Sequence, residues 1–346
     1  MGRGHRVNGK TMAAEMAEQP AVLERLVQRR ESITAAISAL LPEHLCGTVL
    51  LARGSSDTAA LYGRYLFEMA SGRPVALASP SLHTLYRNRA DHRGYVAVGI
   101  SQSGRTPEVV SVLERMRATG ARTVAIVNAT SSPLSDAADV VIDLSAGGEL
   151  AVPATKTFTA TLVALALIAA AMGPLPWSDR DLTALPEQVS WVLDDRHPAD
   201  LIARRLEGAD RVLAVARGPL LAAASETALK IRETSAVFAE AFSAADLRHG
   251  PIAAVTPDVP VLAFSAPGPA ATDVAALCAV LRDRGVKVST ISPEPGSDVL
   301  LPGAVPEALQ PVVASVRGQQ IALSAALARH LDPDAPSGLT KVTLTR

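Results

Sequence analysis

The chain repeats itself, and that repeat constrains its fold more than any other feature. Ala52-Arg53-Gly54 recurs as Ala216-Arg217-Gly218, an offset of 217 − 53 = 164 residues. Ser101, closing one apolar run, corresponds to Ser265, and 265 − 101 = 164. Gly120, before the next run, corresponds to Gly285, and 285 − 120 = 165. Three landmarks at a near-constant offset imply two copies of one unit within the 346 residues. In the first copy, Gly47–Ala52 is a short apolar run ending in Arg53-Gly54-Ser55-Ser56-Asp57, and a helical pattern follows through Met69. Tyr95–Ile100 is a second run, ending in Ser101-Gln102-Ser103-Gly104-Arg105-Thr106-Pro107, with a helix to about Thr119. Arg122–Val127 and Val140–Leu144 continue the series. Strands alternating with helices predict a parallel sheet covered on both faces. The expected fold is α/β, with two tandem doubly wound parallel-sheet domains at 40–175 and 190–330. An N-terminal extension and helix precede them (1–39), a tail follows (331–346), and Gly173–Asp179 starts a linker. In the N-terminal helix Thr11 is the cap, Val22, Leu23, Leu26, Val27 and Ile33 set the apolar period, and Pro20 predicts a break.

Composition removes several function classes. The formal net charge of −1 argues against nucleic acid or an anionic membrane as the main partner. Aromatic residues make up only 3%, so stacking platforms for bases are few. With 48% hydrophobic residues the chain can bury large cores. The apolar run Ala160–Met172 is too short and Ala-rich for a bilayer span and reads as a buried helix. Cys46 and Cys278 stand alone, without metal-ligand or disulfide spacing, and no His pair has metal spacing. The expectation is a cytoplasmic protein with no metal and no cofactor.

Two stretches carry chemistry. Ser55, Ser56, Ser101, Ser103 and Thr106 are hydroxyls at the carboxyl ends of predicted strands, where ligands of open α/β sheets bind. Hydroxyls beside free N–H groups at a helix N-terminus suit a phosphate dianion. The second copy has Ser-Ala-Pro-Gly-Pro at 265–269 and lacks most of them. In the helix after Gly218, Glu226, Lys230 and Glu233 fall at i, i+4 and i+7 and share one face. A lysine between two carboxylates keeps both ionised, and an ionised glutamate can take a proton from carbon beside a carbonyl. The same spacing also describes an ordinary exposed ion-pair stripe. Arg248-His249-Gly250-Pro251 then breaks regular structure beside the helix. Tyr86 and Arg87 have no assignable role.

Taken together these residues resemble the sugar isomerase (SIS) domain family in its tandem form, over nearly the whole chain. Ser101-Gln102-Ser103-Gly104-x-Thr106 looks like the family's phosphate loop, and Glu149-Leu150-Ala151-Val152-Pro153-Ala154-Thr155-Lys156 like the segment that wraps the sugar. Leu229-Lys230-x-x-Glu233 and His249-Gly250-Pro251 look like the catalytic helix and ring-opening histidine. The tail from Asp332 to Thr343 looks like the segment whose lysine, here Lys341, closes the site. The resemblance implies that Ser56, Ser101, Gln102, Ser103 and Thr106 hold phosphate, and that Gly54, Ser55, Val152 and Ala154 line the sugar. It implies that Glu233 shuttles a proton between C1 and C2, that Glu226 and Lys230 tune it or contact the amino group, and that His249 opens the ring. It also implies a homodimer in which His249 crosses to the partner's site.

The nearest branches are glucosamine-6-phosphate deaminases and the isomerase half of glucosamine-6-phosphate synthase. The synthase needs a glutaminase domain with an N-terminal cysteine, and Cys46 lies too deep for that role, so no glutaminase activity is expected. Where both relatives carry His before Ala-Glu-Ala, this chain has Phe238, read here as a little over one helical turn beyond Glu233. The expected partner is a phosphorylated amino sugar and the leading reaction is deamination of glucosamine-6-phosphate to fructose-6-phosphate. The alternatives are dehydration of N-acetylglucosamine-6-phosphate by loss of the C3 hydroxyl, plain aldose–ketose isomerisation, and non-catalytic sensing of a sugar phosphate.

Overall fold

The computed structural model describes residues 8–341. The chain enters through α1 (Lys10–Ala17), α2 (Gln19–Gln28) and α3 (Arg30–Leu40). Pro20 sits in the first turn of α2, where its missing N–H leaves no bond unmade, so the expected break falls just before it. The first repeat follows as β1 (Gly47–Leu51), α4 (Ser55–Ser71), β2 (Val75–Leu77), α5 (Pro80–Thr84), β3 (Tyr95–Ile100), α6 (Pro107–Ala118), β4 (Arg122–Val127), α7 (Pro133–Asp136) and β5 (Val140–Asp143). Then come α8 (Lys156–Met172), α9 (Asp179–Asp194) and α10 (His197–Arg205). The second repeat holds β6 (Arg211–Ala216), α11 (Leu221–Ser235), β7 (Phe238–Ser243), α12 (Ala244–Arg248), β8 (Val261–Phe264), α13 (Ala271–Asp283), β9 (Val288–Ser292), β10 (Val299–Leu300) and α14 (Gln310–Ala328).

The described residues form two compact units. One comprises 21–148 and 157–183, the other 8–20, 149–156 and 184–341. Each holds a five-stranded, wholly parallel sheet. The orders are β2-β1-β3-β4-β5 and, read from the opposite edge, β7-β6-β8-β9-β10, so each strand has its counterpart in the repeat. The duplication extends to single hydrogen bonds. Ser101 N–H donates to Ile126 O at 3.1 Å, and Ser265 N–H donates to Ile291 O at 3.1 Å. Gly120 and Gly285 are both left-handed, at φ 104° and 77°, and end α6 and α13. In each case the next residue's N–H turns back on the helix: Ala121 to Met116 O and Val286 to Leu281 O, both at 3.0 Å. This is the glycine stop that frees the chain to enter the next strand.

The central strands are buried because helices cover both faces. In the first unit Leu51, Ala97, Val112, Leu113 and Ala125 form one cluster. In the other, Val215, Val261, Ala263, Leu277, Cys278 and Leu281 form its counterpart. Helix α14 runs buried from Gln310 through Ala326, its Arg317 included. Arg317 donates to Asp195 O at 2.6 Å and Gln320 Oε1 at 2.7 Å, and burial pushes its pKa down to about 10. Phe238 differs from expectation. Helix α11 ends at Ser235, Ala236 turns left-handed at φ 52°, and Phe238 opens β7 with 65% of its surface exposed. It pairs with Arg211 across the β6–β7 ladder and is not a further turn of the helix that carries Glu233.

Gly318 lets α14 approach α11. A Cβ there would lie 2.0 Å from Thr227 Oγ1, one residue after Glu226, and that hydroxyl is already committed to Ala223 O at 2.7 Å. In an open helix Gly→Ala gains about 1 kcal/mol. Here the clash, on the order of 1–3 kcal/mol for an overpacked core, outweighs the gain. Gly318→Ala should therefore lower the melting temperature, and adding Thr227→Ala should recover part of the loss. A melting temperature at or above wild type for Gly318→Ala would contradict this close approach.

Candidate active site

In the first-sheet unit, two turns leave the carboxyl ends of neighbouring strands β1 and β3. After β1, Gly54 takes φ 59° and α4 begins at Ser55, with Ser55 and Ser56 half-buried in its first turn. After β3, Ser101 is buried, with its Oγ 3.1 Å from Thr106 Oγ1. Gln102, Ser103 and Thr106 are half-buried, and Arg105 N–H donates to Ser103 Oγ at 3.3 Å. Gly104 holds φ 62°, and a Cβ there would lie 2.1 Å from Ser132 Oγ, so a side chain at 104 is excluded twice over. Thr106 ends the loop as the N-cap residue of α6, with Pro107 first in the helix. The two turns are tied together. Arg53 donates to Glu108 Oε2 from Nε at 2.9 Å and from Nη2 at 2.7 Å, and that carboxylate is almost fully buried. The result is a set of hydroxyls and helix-start amides on a braced frame, which fits an oxyanion.

The other unit carries the charged array. Lys230 Nζ lies 3.4 Å from Glu226 Oε1 and hydrogen-bonds Glu233 Oε2. Glu226 and Lys230 are 1% exposed at the side chain, whereas Glu233 is 22% exposed. Burial alone would lower the Lys230 pKa, but the two carboxylates outweigh it and hold the ammonium above the ordinary lysine value. Glu233 therefore stands at the outer end of the array. It lines a cavity of about 490 Å³ whose wall includes Leu331, Asp332, Ala335, Ser337 and Leu339 of the C-terminal segment. Phe238 does not line that cavity.

Segment 149–156 belongs to the same unit and is held by the C-terminal segment and by α1 with the residue after it. Glu149 accepts from Thr155 N–H at 2.9 Å and from Lys341 Nζ at 2.7 Å, and Lys341 also donates to Ala151 O at 2.7 Å. Val152 N–H donates to Asp334 O at 3.0 Å, and the Asp334 carboxylate accepts from Thr11 and Met12 N–H at 3.0 and 2.8 Å. Glu15 of α1 accepts from the N–H groups of Leu150 and Ala151, and burial raises its pKa. Lys156 pairs with Glu18 at 2.6 Å. Val152 and Ala154 remain half-buried at the surface of the segment. Glu15 and the carboxylate of Glu149 carry no assigned role in the sequence reading. Their partners lie 135 and 192 residues away, and no local spacing announces them. The His249 backbone N–H donates to Asp246 O at 3.1 Å, and its exposed ring has no hydrogen-bond partner among the described residues. Among the described residues no group of three or more His, Cys, Asp or Glu is placed to hold a metal ion. Among them, too, no helix is long and apolar enough to cross a membrane.

Comparison with known proteins follows the duplication. The profile of the SIS domain matches twice, at residues 48–171 and 205–328. Glutamine–fructose-6-phosphate aminotransferase (isomerizing) of Thermus thermophilus is 32% identical over 350 residues, covering 95% of this chain and 58% of that protein. The protein of the same name from Gloeobacter violaceus is also 32% identical, with the same coverage. The chain thus spans little more than half the length of these relatives. Among solved structures, one described as a phosphosugar isomerase from Silicibacter pomeroyi has a TM-score of 0.85 and 29% identity, covering 94% of this chain and 99% of that one. A glucosamine-6-phosphate deaminase from Thermotoga maritima has a TM-score of 0.79 at 21% identity, covering 97% and 99%, which is a likeness of fold. This chain belongs to the SIS domain family, with the domain present twice in tandem.

Proposed function

We propose that this protein is an enzyme of phosphorylated amino sugars that converts glucosamine-6-phosphate and water to fructose-6-phosphate and ammonia. The observation that carries the reading is the array Glu226–Lys230–Glu233, with its outer carboxylate on a cavity and its ammonium locked in the charged form. The phosphate is held by Ser56, Ser101, Gln102, Ser103 and Thr106, and Ser55, Val152 and Ala154 contact the sugar. His249 opens the ring by proton transfer at O5, acid–base work for which an imidazole can both donate and accept a proton. Glu233 then takes the C2 proton of the open aldehyde and returns it to C1. A proton passes from the amine nitrogen to O1 as the double bond moves from C1–O to C2–N, and water adds to the resulting imine and expels ammonia. Lys341, tethered to Glu149 and the Ala151 carbonyl, holds the C-terminal segment over segment 149–156. Fructose-6-phosphate in the relatives' names supports the substrate class.

A product assay on the purified chain decides the reaction. Glucosamine-6-phosphate should give equal amounts of ammonia and fructose-6-phosphate, at an ordinary enzymatic rate on the order of 1–10³ per second. The N-acetylated sugar should be left unchanged. An ultraviolet-absorbing product from the acetylated sugar without ammonia would replace deamination by dehydration. Sugar-phosphate binding with no turnover of either compound would make the protein a sensor.

We further propose that the active unit is a homodimer with His249 acting in the partner's site. Its exposure, away from the charged array's own hydrogen bonds, motivates this. Glu233→Gln and His249→Ala should each be inactive alone. Mixing them with subunit exchange should restore activity, to about one quarter of wild type for random pairing in a two-fold dimer. No recovery after demonstrated exchange would place His249 in its own subunit's site.

A further inference from the structure

We propose that the first-sheet unit carries a second anion site, for a phosphorylated small molecule, at the end of the sheet opposite the 101–106 loop. The site is a cavity of about 630 Å³ lined by His83, Arg87, Asn88, Arg89, His92 and Arg115, with no Asp or Glu among the lining residues. That volume is in the ordinary range for small-molecule sites, roughly 300–1,000 Å³, and exceeds what one inorganic phosphate needs. No lining carboxylate compensates its positive charge. Arg87 and Arg89 have no hydrogen-bond or ion-pair partner among the described residues, and Arg115 donates to the His83 carbonyl rather than to a carboxylate. The nearby acid, Asp91, is occupied by Arg93 at 2.6 Å. Guanidinium groups free of carboxylates in one cavity match phosphoryl oxygens in charge and geometry.

The floor of the cavity is built, not incidental. His83 and His92 are 6% and 8% exposed, with ring centroids 5.9 Å apart. His92 Nδ1 lies 2.7 Å from Thr119 Oγ1, which fixes that ring, whereas the His83 ring has no hydrogen-bond partner among the described residues and keeps its nitrogens for a ligand. Arg87 is a non-glycine residue held at φ 52°, a strained conformation of the kind that clusters at binding sites. The last turn of α6 is the negative end of its helix dipole, and Arg115 and Arg117 offset it there.

The cavity and the 101–106 loop do not share a ligand atom. Strand β3 separates His92 from Ser101, and its six residues span about 20 Å. Helix α6 separates Thr106 from Thr119, and its twelve residues span about 18 Å. The inference therefore stands apart from the proposed activity.

Calorimetric titration of the full chain tests it, with Ser101→Ala/Ser103→Ala introduced to remove the other expected phosphate site. Inorganic pyrophosphate and a nucleoside diphosphate are the probes. Both should bind this variant, and adding Arg87→Ala with Arg89→Ala should weaken binding at least tenfold, while Arg73→Ala, at an exposed position off the cavity, should not. Tighter binding of the nucleotide would assign the cavity to an organic phosphate. Equal binding would assign it to the phosphoryl group alone. Absence of binding, binding unchanged by the Arg87/Arg89 pair, or an equal loss with Arg73→Ala would overturn the proposal.

Discussion

Lys230 holds a full positive charge with about 1% of its side chain open to water, and the candidate chemistry rests on how that charge is matched. Taking an ammonium out of water costs several kcal/mol even after relaxation, so it persists only beside compensating charge. Glu226 and Glu233 supply it from the same helix, four and three residues away, at the spacing that puts side chains on one face. Leaving such a buried charge without its partners costs about 3–5 kcal/mol. The asymmetry within the set matters for function. Glu226 is sealed in, whereas Glu233 reaches the cavity. A base must be accessible to its substrate, and Glu233 is the carboxylate of the set that meets this condition.

The array is only as well placed as α11, and two devices of the same unit position that helix. Gly318 allows α14 to lie against it at Thr227. Further along, the C-terminal segment walls the Glu233 cavity and reaches segment 149–156 through Val152, Glu149 and Lys341. Glu15, Glu149 and Lys341 then form a second buried charge network, in which one lysine meets one of two neighbouring carboxylates. Burial and the nearby Glu149 both raise the Glu15 pKa, and the N–H groups of Leu150 and Ala151 pull it back.

Much of this is legible in the sequence, and the limits have physical causes. The bounds of β3 and β4 coincide with their apolar runs because each strand is buried on both faces and framed by glycine or helix signals. The 164-residue repeat predicts the paired sheets because each landmark ends an element: Ser101 and Ser265 leave strands, and Gly120 and Gly285 leave helices. The face shared by Glu226, Lys230 and Glu233 follows from helical geometry alone. The three-residue β2, the two-residue β10 and the five-residue α5 are too short to show any period. β7 reads Phe-Ala-Glu-Ala-Phe-Ser, without a β-branched residue, and pairing with β6 overrides its local preference. That is why the sequence puts Phe238 on the wrong element. Contacts such as Lys341 with Glu149, or Gly318 with Thr227, depend on chain segments meeting in space and leave no local trace.

The central claim is that the Glu233 carboxylate carries a proton between adjacent carbons of an opened sugar phosphate. Glucosamine-6-phosphate labelled with deuterium at C2 tests it directly, with product and recovered substrate analysed by NMR. Wild type should place part of the label at C1 of fructose-6-phosphate and lose the rest to solvent. Glu233→Gln should leave the label at C2 while still binding the sugar phosphate, because the glutamine amide still offers Lys230 a hydrogen-bond acceptor but cannot take the C2 proton. Transfer or loss of the label at the wild-type rate in Glu233→Gln would contradict the account.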